Sequence, residues 1–432
     1  MKKSLYITIA ILSFCALANG ATIEITPTST SRANVNVTHD SSDTLQLNST
    51  DSWYSYKVGN NTTTTYAQVI VKNGDNAGAA NFALGTLIVD ANTLIPNETA
   101  LSASSWSMNY FTLKLRNSAS EITPITVNFG SELNIRSTAD VVQQQYIYFE
   151  DTTYNVSATT INVGNKKVDY TSVFTVGAAS TVDWSGTNFN ISSNGVLTIY
   201  GTLKSAGKIE LQNEGATLNI KNGADLIFTA GKNFKMAEGT TMNIGANSNL
   251  TFVRGNNAYL NGTITTHSAM TFMKITTATG KFTQTAGGVT FNRPATFDYG
   301  ADWTIYEKIT LKGDDADEAH TAKLTVNDGA NFTFTTELRP RIIFAGYSEI
   351  ELNTETPFLD DLGDPVGLVT TTYSRNSKIY VNANQRFKFM HTNGGTAELG
   401  SGKGDLDVYL ADETTFSIVG QDIDDRPFKS TN

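Results

Sequence analysis

The sequence predicts an all-β chain wound as a parallel β-helix, or β-solenoid, with an irregular β cap at its N-terminal side. Three observations carry this reading. Apolar residues alternate with polar ones at period two along most of the chain. A short glycine-led phrase recurs over more than two hundred residues. The composition is rich in Thr and Asn and poor in charge.

Composition sets the outer bounds. The chain has 432 residues, of which 17% are charged, 40% hydrophobic and 10% aromatic, with 34 Gly, 8 Pro and one Cys. Thr makes up about 14% and Asn about 9% of it, well above ordinary soluble domains. So much apolar and aromatic side chain excludes a disordered chain. The Thr, Asn and Gly content argues against a helical protein. A net charge of -10 argues against binding nucleic acid by neutralising phosphates.

Residues 1–20 read as a signal peptide. Lys2 and Lys3 precede an apolar run from Leu5 to Leu17, followed by the small residues Ala18 and Gly20. The run is too short for a good membrane span, and no later stretch of 18 apolar residues occurs. Cys15 lies inside this segment, and Phe14 before it does not suit a lipidation motif. A mature chain without cysteine can form no disulfide, so packing and backbone ladders must hold it together. The expected location is extracellular or at a bacterial cell surface, associated with the outer membrane.

Residues 21–125 read as the N-terminal β cap or as irregular early coils. They hold alternating runs such as Tyr54-Ser-Tyr-Lys-Val58 and Tyr110-Phe-Thr-Leu-Lys-Leu115. A solenoid needs a cover over its exposed first rung, which otherwise invites edge-to-edge growth.

Residues 126–345 read as the solenoid. The phrase appears as Gly130-Ser-Glu-Leu-Asn-Ile135, Gly215-Ala-Thr-Leu-Asn-Ile220, Gly239-Thr-Thr-Met-Asn-Ile244, Gly300-Ala-Asp-Trp-Thr-Ile305 and Gly329-Ala-Asn-Phe-Thr-Phe334. Each copy predicts a turn followed by a strand, with Leu, Ile and Phe facing inward and Thr and Asn outward. Stacked copies would align Thr and Asn in ladders along the outside. About 300 residues at about 20 per coil would give some 15 coils. Asn-Gly steps between alternating runs also fit antiparallel hairpins, so a β-sandwich array stands as the alternative fold. Ala139–Gln145 and Asp315–Ala319 are the stretches that read as short helical turns. Residues 346–432 read as an acidic β region ending in a polar tail.

The Gly-Ala-x-Leu-x-Ile phrase, with Thr and Asn outside, resembles the passenger regions of bacterial autotransporters and related β-solenoid adhesins. The resemblance covers about 126–345 and is one of rhythm and composition. It implies a secreted or surface-displayed rod with an adhesive or structural role. Residues 346–432 are too few and too polar for the membrane barrel of such proteins, and the chain has no Asn-Pro step. A separate outer-membrane translocator is the partner this implies, with a surface glycan or a neighbouring or host cell surface as the target.

Parallel β-helices also serve as polysaccharide lyases and hydrolases, and an enzyme of that class is the second functional reading. Its carboxylates would come from Gly313-Asp-Asp-Ala-Asp-Glu-Ala-His320, where Asp314 and Asp315 resemble the Gly-Asp-Asp step of polygalacturonase-type enzymes. The other elements of that family (Asn-Thr-Asp, Gly-His-Gly, Arg-Ile-Lys) are absent, so no catalytic residue is assigned and no catalysis is expected. The same cluster, Asp314, Asp315, Asp317 and Glu318, is the candidate calcium site, since calcium takes six to eight oxygens. Further acidic groups lie at Asp360/Asp361/Asp364, Asp405/Asp407 and Asp422/Asp424/Asp425. His39, His267, His320 and His391 have no metal-ligand spacing. Among aromatics that could bind glycans, Trp184, Trp303 and Tyr299 lie in or beside predicted strands, so the interior is the expected place for all three.

Overall fold

The computed structural model describes the backbone of strands from Thr22 to Gln421, with side chains over parts of 112–135 and most of 145–354. Strands recur in threes and stack only on strands of neighbouring coils. In the first ladder, Glu132–Ser137 pairs with Thr160–Asn165, then Asn188–Ile191, Lys208–Leu211, Phe234–Met236 and Ala258–Leu260. In the second, Gln145–Phe149 pairs with Ser172–Val176, then Gly195–Ile199, Thr217–Ile220, Thr241–Ile244 and Thr263–Thr266. The third runs from Ile125–Asn128 through Thr153–Ser157, Thr181–Trp184, Thr202–Ser205 and Asp225–Phe228 to Asn249–Thr251. A fresh ladder then takes over its place, from Met270–Phe272 to Arg341–Ala345. About eight turns separate Thr153–Ser157 from Arg341–Ala345.

Every one of these pairings is parallel, so the chain is a β-solenoid. A two-residue Asn-Gly turn can join only antiparallel strands, while parallel neighbours need a crossover of a dozen or more residues. Here the crossover is the remainder of a coil. Asn194, which leads Gly195, adopts a φ of 56 and turns a corner in place of closing a hairpin. The sandwich alternative therefore does not form. Coil length departs from the expected 20 residues. Ile125 pairs with Tyr154, a step of 29, Met270 with Val289, a step of 19, and Ile309 with Ile342, a step of 33. Longer corners carry the difference, so the same length makes fewer coils than fifteen.

The glycine-led phrase marks corners as expected. Gly215 and Gly239 have φ of 81 and 73, and the Gly215 N–H donates to the Gly239 carbonyl one coil on, at 3.1 Å. Only glycine takes that conformation without steric cost. Strands without the phrase, such as Lys208–Leu211 and Ala258–Leu260, complete the first ladder.

Parallel pairing continues beyond 126–345. Glu98–Ala100 pairs with Ile125–Asn128, and the long strand Ser105–Arg116 spans two faces: its start pairs with Glu132–Ser137 and its end with Gln145–Phe149. Ser348–Leu352 pairs with Asn376–Val381, and that strand with Asp405–Leu410. Of the two helical readings, Asp315–Ala319 overlaps a 3-10 turn at Glu318–His320, and Gln145 opens a strand. Among the described residues no helix is long and apolar enough to cross a membrane.

The interior is a column of alternate, mostly apolar side chains. Thr217–Ile220 and Asp225–Phe228 each bury every second residue. Rings pack against one another along the axis. Phe149, Phe174 and Phe189 follow each other at centroid distances of 5.1 Å, and Phe282 lies 4.3 Å from Trp303, one coil on. Such pairs contribute about 0.5–1.5 kcal/mol each beyond the area they bury.

Candidate binding face

Outward positions of each ladder form side-chain columns, because parallel registers place the same parity on the same side in every coil. On the first face, Asn134, Asn162 and Asn190 stand in register. Asn162 Nδ2 donates to Asn134 Oδ1 at 2.8 Å, and Asn190 Nδ2 to Asn162 Oδ1 at 2.9 Å. Glu210 follows, held by Lys208 at 2.9 Å and Lys235 at 4.0 Å, and Lys235 lies 5.5 Å from the centre of the Tyr259 ring. Burial pushes the Glu210 carboxyl up, but the hydrogen bond and charge of Lys208, with the charge of Lys235 and a bond from Gln212, bring it below the usual range. At a corner, Asn353 Nδ2 donates to Asn327 Oδ1 at 2.9 Å, and Asn327 Nδ2 to Asp298 Oδ1 at 2.5 Å. The expected outward Asn ladders are thus present.

The second face is different. One outward column runs Lys114, Tyr148, Thr175 and Thr198, then Asn219 and Asn243, then Thr265, Thr283, Thr304 and Thr333. Beside it stand Thr112, Tyr146, Val173, Val196, Thr217 and Thr241. The C-terminal part is a polar lattice. The N-terminal part is an aromatic and aliphatic patch. Tyr146 and Tyr148 lie two residues apart on one strand with ring centroids 6.0 Å apart and planes within 19°. Lys114 Nζ is 5.4 Å from the Tyr148 ring centre and 3.9 Å from the Glu150 carboxylate. Thr175 and Thr198 have the outward parity of this column yet are only 8% and 7% exposed. Tyr200, at the next corner, is 46% exposed. Burial, then the nearby Tyr146, Glu150 and Tyr200, pushes the Tyr148 phenol above its ordinary value, so it stays a neutral donor at physiological pH.

The sequence reading did not single out these tyrosines. The stretch that reads as a helical turn, Ala139–Gln145, ends where their strand begins. The available signal was parity: Ile147 and Phe149 are fully buried, which leaves both tyrosines on the outward side.

The aromatics that were singled out divide. Trp184 and Trp303 are buried, and Trp184 Nε1 donates to the Ala158 carbonyl at 2.9 Å. Tyr299 is a correction, since it is 81% exposed. It sits in a corner just before Gly300, outside the alternating strand, and its ring crosses the place a Cβ on Gly329 would occupy.

The acidic cluster lies in a loop inserted into the 33-residue coil between Ile309 and Ile342. Gly313 and Tyr347 close its neck: the Gly313 N–H donates to the Ala345 carbonyl at 3.0 Å, and the Tyr347 N–H to the Asp314 carbonyl at 2.9 Å. Asp314 Oδ1 accepts the Ala316 N–H at 2.9 Å. Asp317 caps the 3-10 turn through the Ala319 N–H at 2.9 Å and meets His320 Nδ1 at 2.5 Å. Glu318 opens that turn, and Asp315 lies outside the described residues. Among the described residues no group of three or more His, Cys, Asp or Glu converges as metal ligands. His267 contacts Thr285 at 2.5 Å; Asp360/Asp361/Asp364, Asp422/Asp424/Asp425 and His39 lie outside the described residues, as do the side chains of Asp405, Asp407 and His391.

No family model, curated protein or solved structure matches this chain.

Proposed function

We propose that this protein is an exported rod with an adhesive or structural role, displayed like the passenger of an autotransporter and dependent on a separate outer-membrane translocator. The observation that carries the reading is the continuity of the outward columns. A solenoid repeats its surface coil after coil, so weak contacts add up over an extended partner. The Thr lattice of the second face and the Asn ladder of the first are surfaces of that kind. The expected partner is a surface glycan or a cell surface, and the protein acts without catalysis or a cofactor.

The test uses the purified chain on beads. Retention of the beads on cells or on extracted surface polysaccharide, with no release of reducing sugar or unsaturated uronate, is the expected result. Turnover of any polysaccharide would replace this reading with the enzyme, a lyase or hydrolase on the same fold. Absence of both retention and turnover would leave a purely structural role.

A further inference from the structure

We propose that the solenoid is two wound blocks meeting at a joint within 249–292, and that under denaturant or tension this joint opens while the coils on either side stay closed. The proposal stands on the fold and is independent of the adhesive reading.

Backbone pairing changes at this place in two ways. The third ladder ends at Asn249–Thr251, and its successor begins at Met270–Phe272 in a separate sheet. A side chain bridges the break: the Ser248 N–H donates to Ser268 Oγ at 3.2 Å, and that hydroxyl donates to the Gly245 carbonyl at 2.6 Å. Coil length shifts here as well. Thr217 pairs with Thr241, a step of 24, but Ile264 with Phe282, a step of 18. The first ladder carries a bulge in the same coils. Ile275–Ala278 has four residues, and its ends face Ala258 and Leu260 on one side and Ala295 and Phe297 on the other, strands of three. Thr276 is the residue left out of both registers.

The interior changes with the backbone. Inward positions on the second face run Ile199, Ile220 and Ile244, then Thr266 and Gln284, and further along Ile305 and Phe334. Thr266 and Gln284 are fully buried. Gln284 Nε2 donates to the Ser268 and Gly288 carbonyls at 3.2 Å each, but Gln284 Oε1 receives no donor. Among the described residues five buried side-chain atoms lack a hydrogen-bond partner, and three lie here: Thr276 Oγ1, Gln284 Oε1 and Asn292 Oδ1. Each is costly while the coils are closed and regains water when they open.

In a solenoid a coil is held only by its neighbours, so stability is a sum of nearest-neighbour terms and the array parts at the weakest of them. The first and second ladders still cross the joint, as does the ring pair Phe252 and Phe272, 6.4 Å apart. These contacts keep the blocks together until the joint opens.

Hydrogen exchange of the full chain in sub-denaturing urea, read peptide by peptide, tests the joint. The paired amides of Ala258–Leu260, Thr263–Thr266 and Ile275–Ala278 should exchange about tenfold or more faster than paired amides in 195–244 and 302–334. Two variants address the cause. A chain lacking Thr276 puts Ile275, Thr277 and Ala278 in unbroken register with Ala258–Leu260 and Ala295–Phe297, whereas Thr276→Val keeps the bulge and removes the orphan hydroxyl. Both should slow exchange within 258–278, the deletion more, and leave the flanking coils unchanged. Equal protection across 195–334 overturns the joint. So do folded variants of which neither slows exchange there. Should the deletion chain fail to fold, the wild-type profile and Thr276→Val decide the matter.

Discussion

Asn190 and Glu210 are in register on adjacent coils, and there the asparagine ladder stops. Each Asn Nδ2 donates back to the Oδ1 of the preceding coil, so the last Oδ1 needs a donor from the coil that follows. Glu210 is an ionised acceptor, and Asn190 Oδ1 is buried with no donor. The two lysines that hold Glu210 compensate on one side of the pair only.

Glu210→Asn would supply the missing donor. It adds a hydrogen bond to a buried acceptor, about 1 kcal/mol, and loses ion pairs worth about 0–1 kcal/mol. At pH 7 the two should nearly cancel. Acid separates them. The Glu210 carboxyl is lowered in the folded state, so its stabilisation is present above the unfolded carboxylate range, near pH 4.3, and is lost as pH falls through the lower folded value. Melting temperatures at pH 7 and pH 3 should therefore show the variant gaining on the wild type in acid. A constant difference would mean that Glu210 contributes nothing through its charge.

Trp303 ties together rings from several coils: it lies 4.3 Å from Phe282, 4.6 Å from Phe297 and 6.3 Å from Phe332. Trp303→Ala should cost about 3–5 kcal/mol. Denaturant unfolding measures this directly, and a loss below about 1 kcal/mol would show that the column closes over the gap.

Two glycines should respond differently to a methyl group. A Cβ on Gly280 would meet the Gly262 carbonyl oxygen at 1.9 Å, backbone against backbone. Gly280→Ala must push coils apart, at about 1–3 kcal/mol or more. Gly223 has a φ of +73 and open space around the added Cβ. Gly223→Ala should cost only the left-handed conformation, about 1–2 kcal/mol. The order of the two melting temperatures is the readout.

The acidic loop should be indifferent to chelation. Asp314 and Asp317 are engaged with the Ala316 and Ala319 N–H groups, and Asp317 also with His320. A melting temperature unchanged by excess chelator is expected. A drop that calcium restores, and that Asp317→Asn abolishes, would establish a cation site there.

Alternation is a local property, and it alone determined which side chains enter the core. Leu218 and Ile220, or Phe332 and Phe334, could be assigned inward from their own strand. The glycine phrase likewise marked corners, because the positive φ of Gly215, Gly239, Gly300 and Gly329 is a demand of the local backbone. Pairing is not local. Asn194-Gly195 looks the same before a hairpin and before a solenoid corner, and only the partner strand, Ser172–Val176 one coil earlier, decides between them. Nor could the sequence place Tyr146 over Thr112 or beside Val173, since coil steps vary from 17 residues (Ala258 to Ile275) to 34 (Thr112 to Tyr146) and no fixed repeat predicts the register. The composition determined a Thr- and Asn-rich exterior. The tertiary register decided that one stretch of it is an aromatic patch, because the columns are made by coils far apart in the chain and close in space.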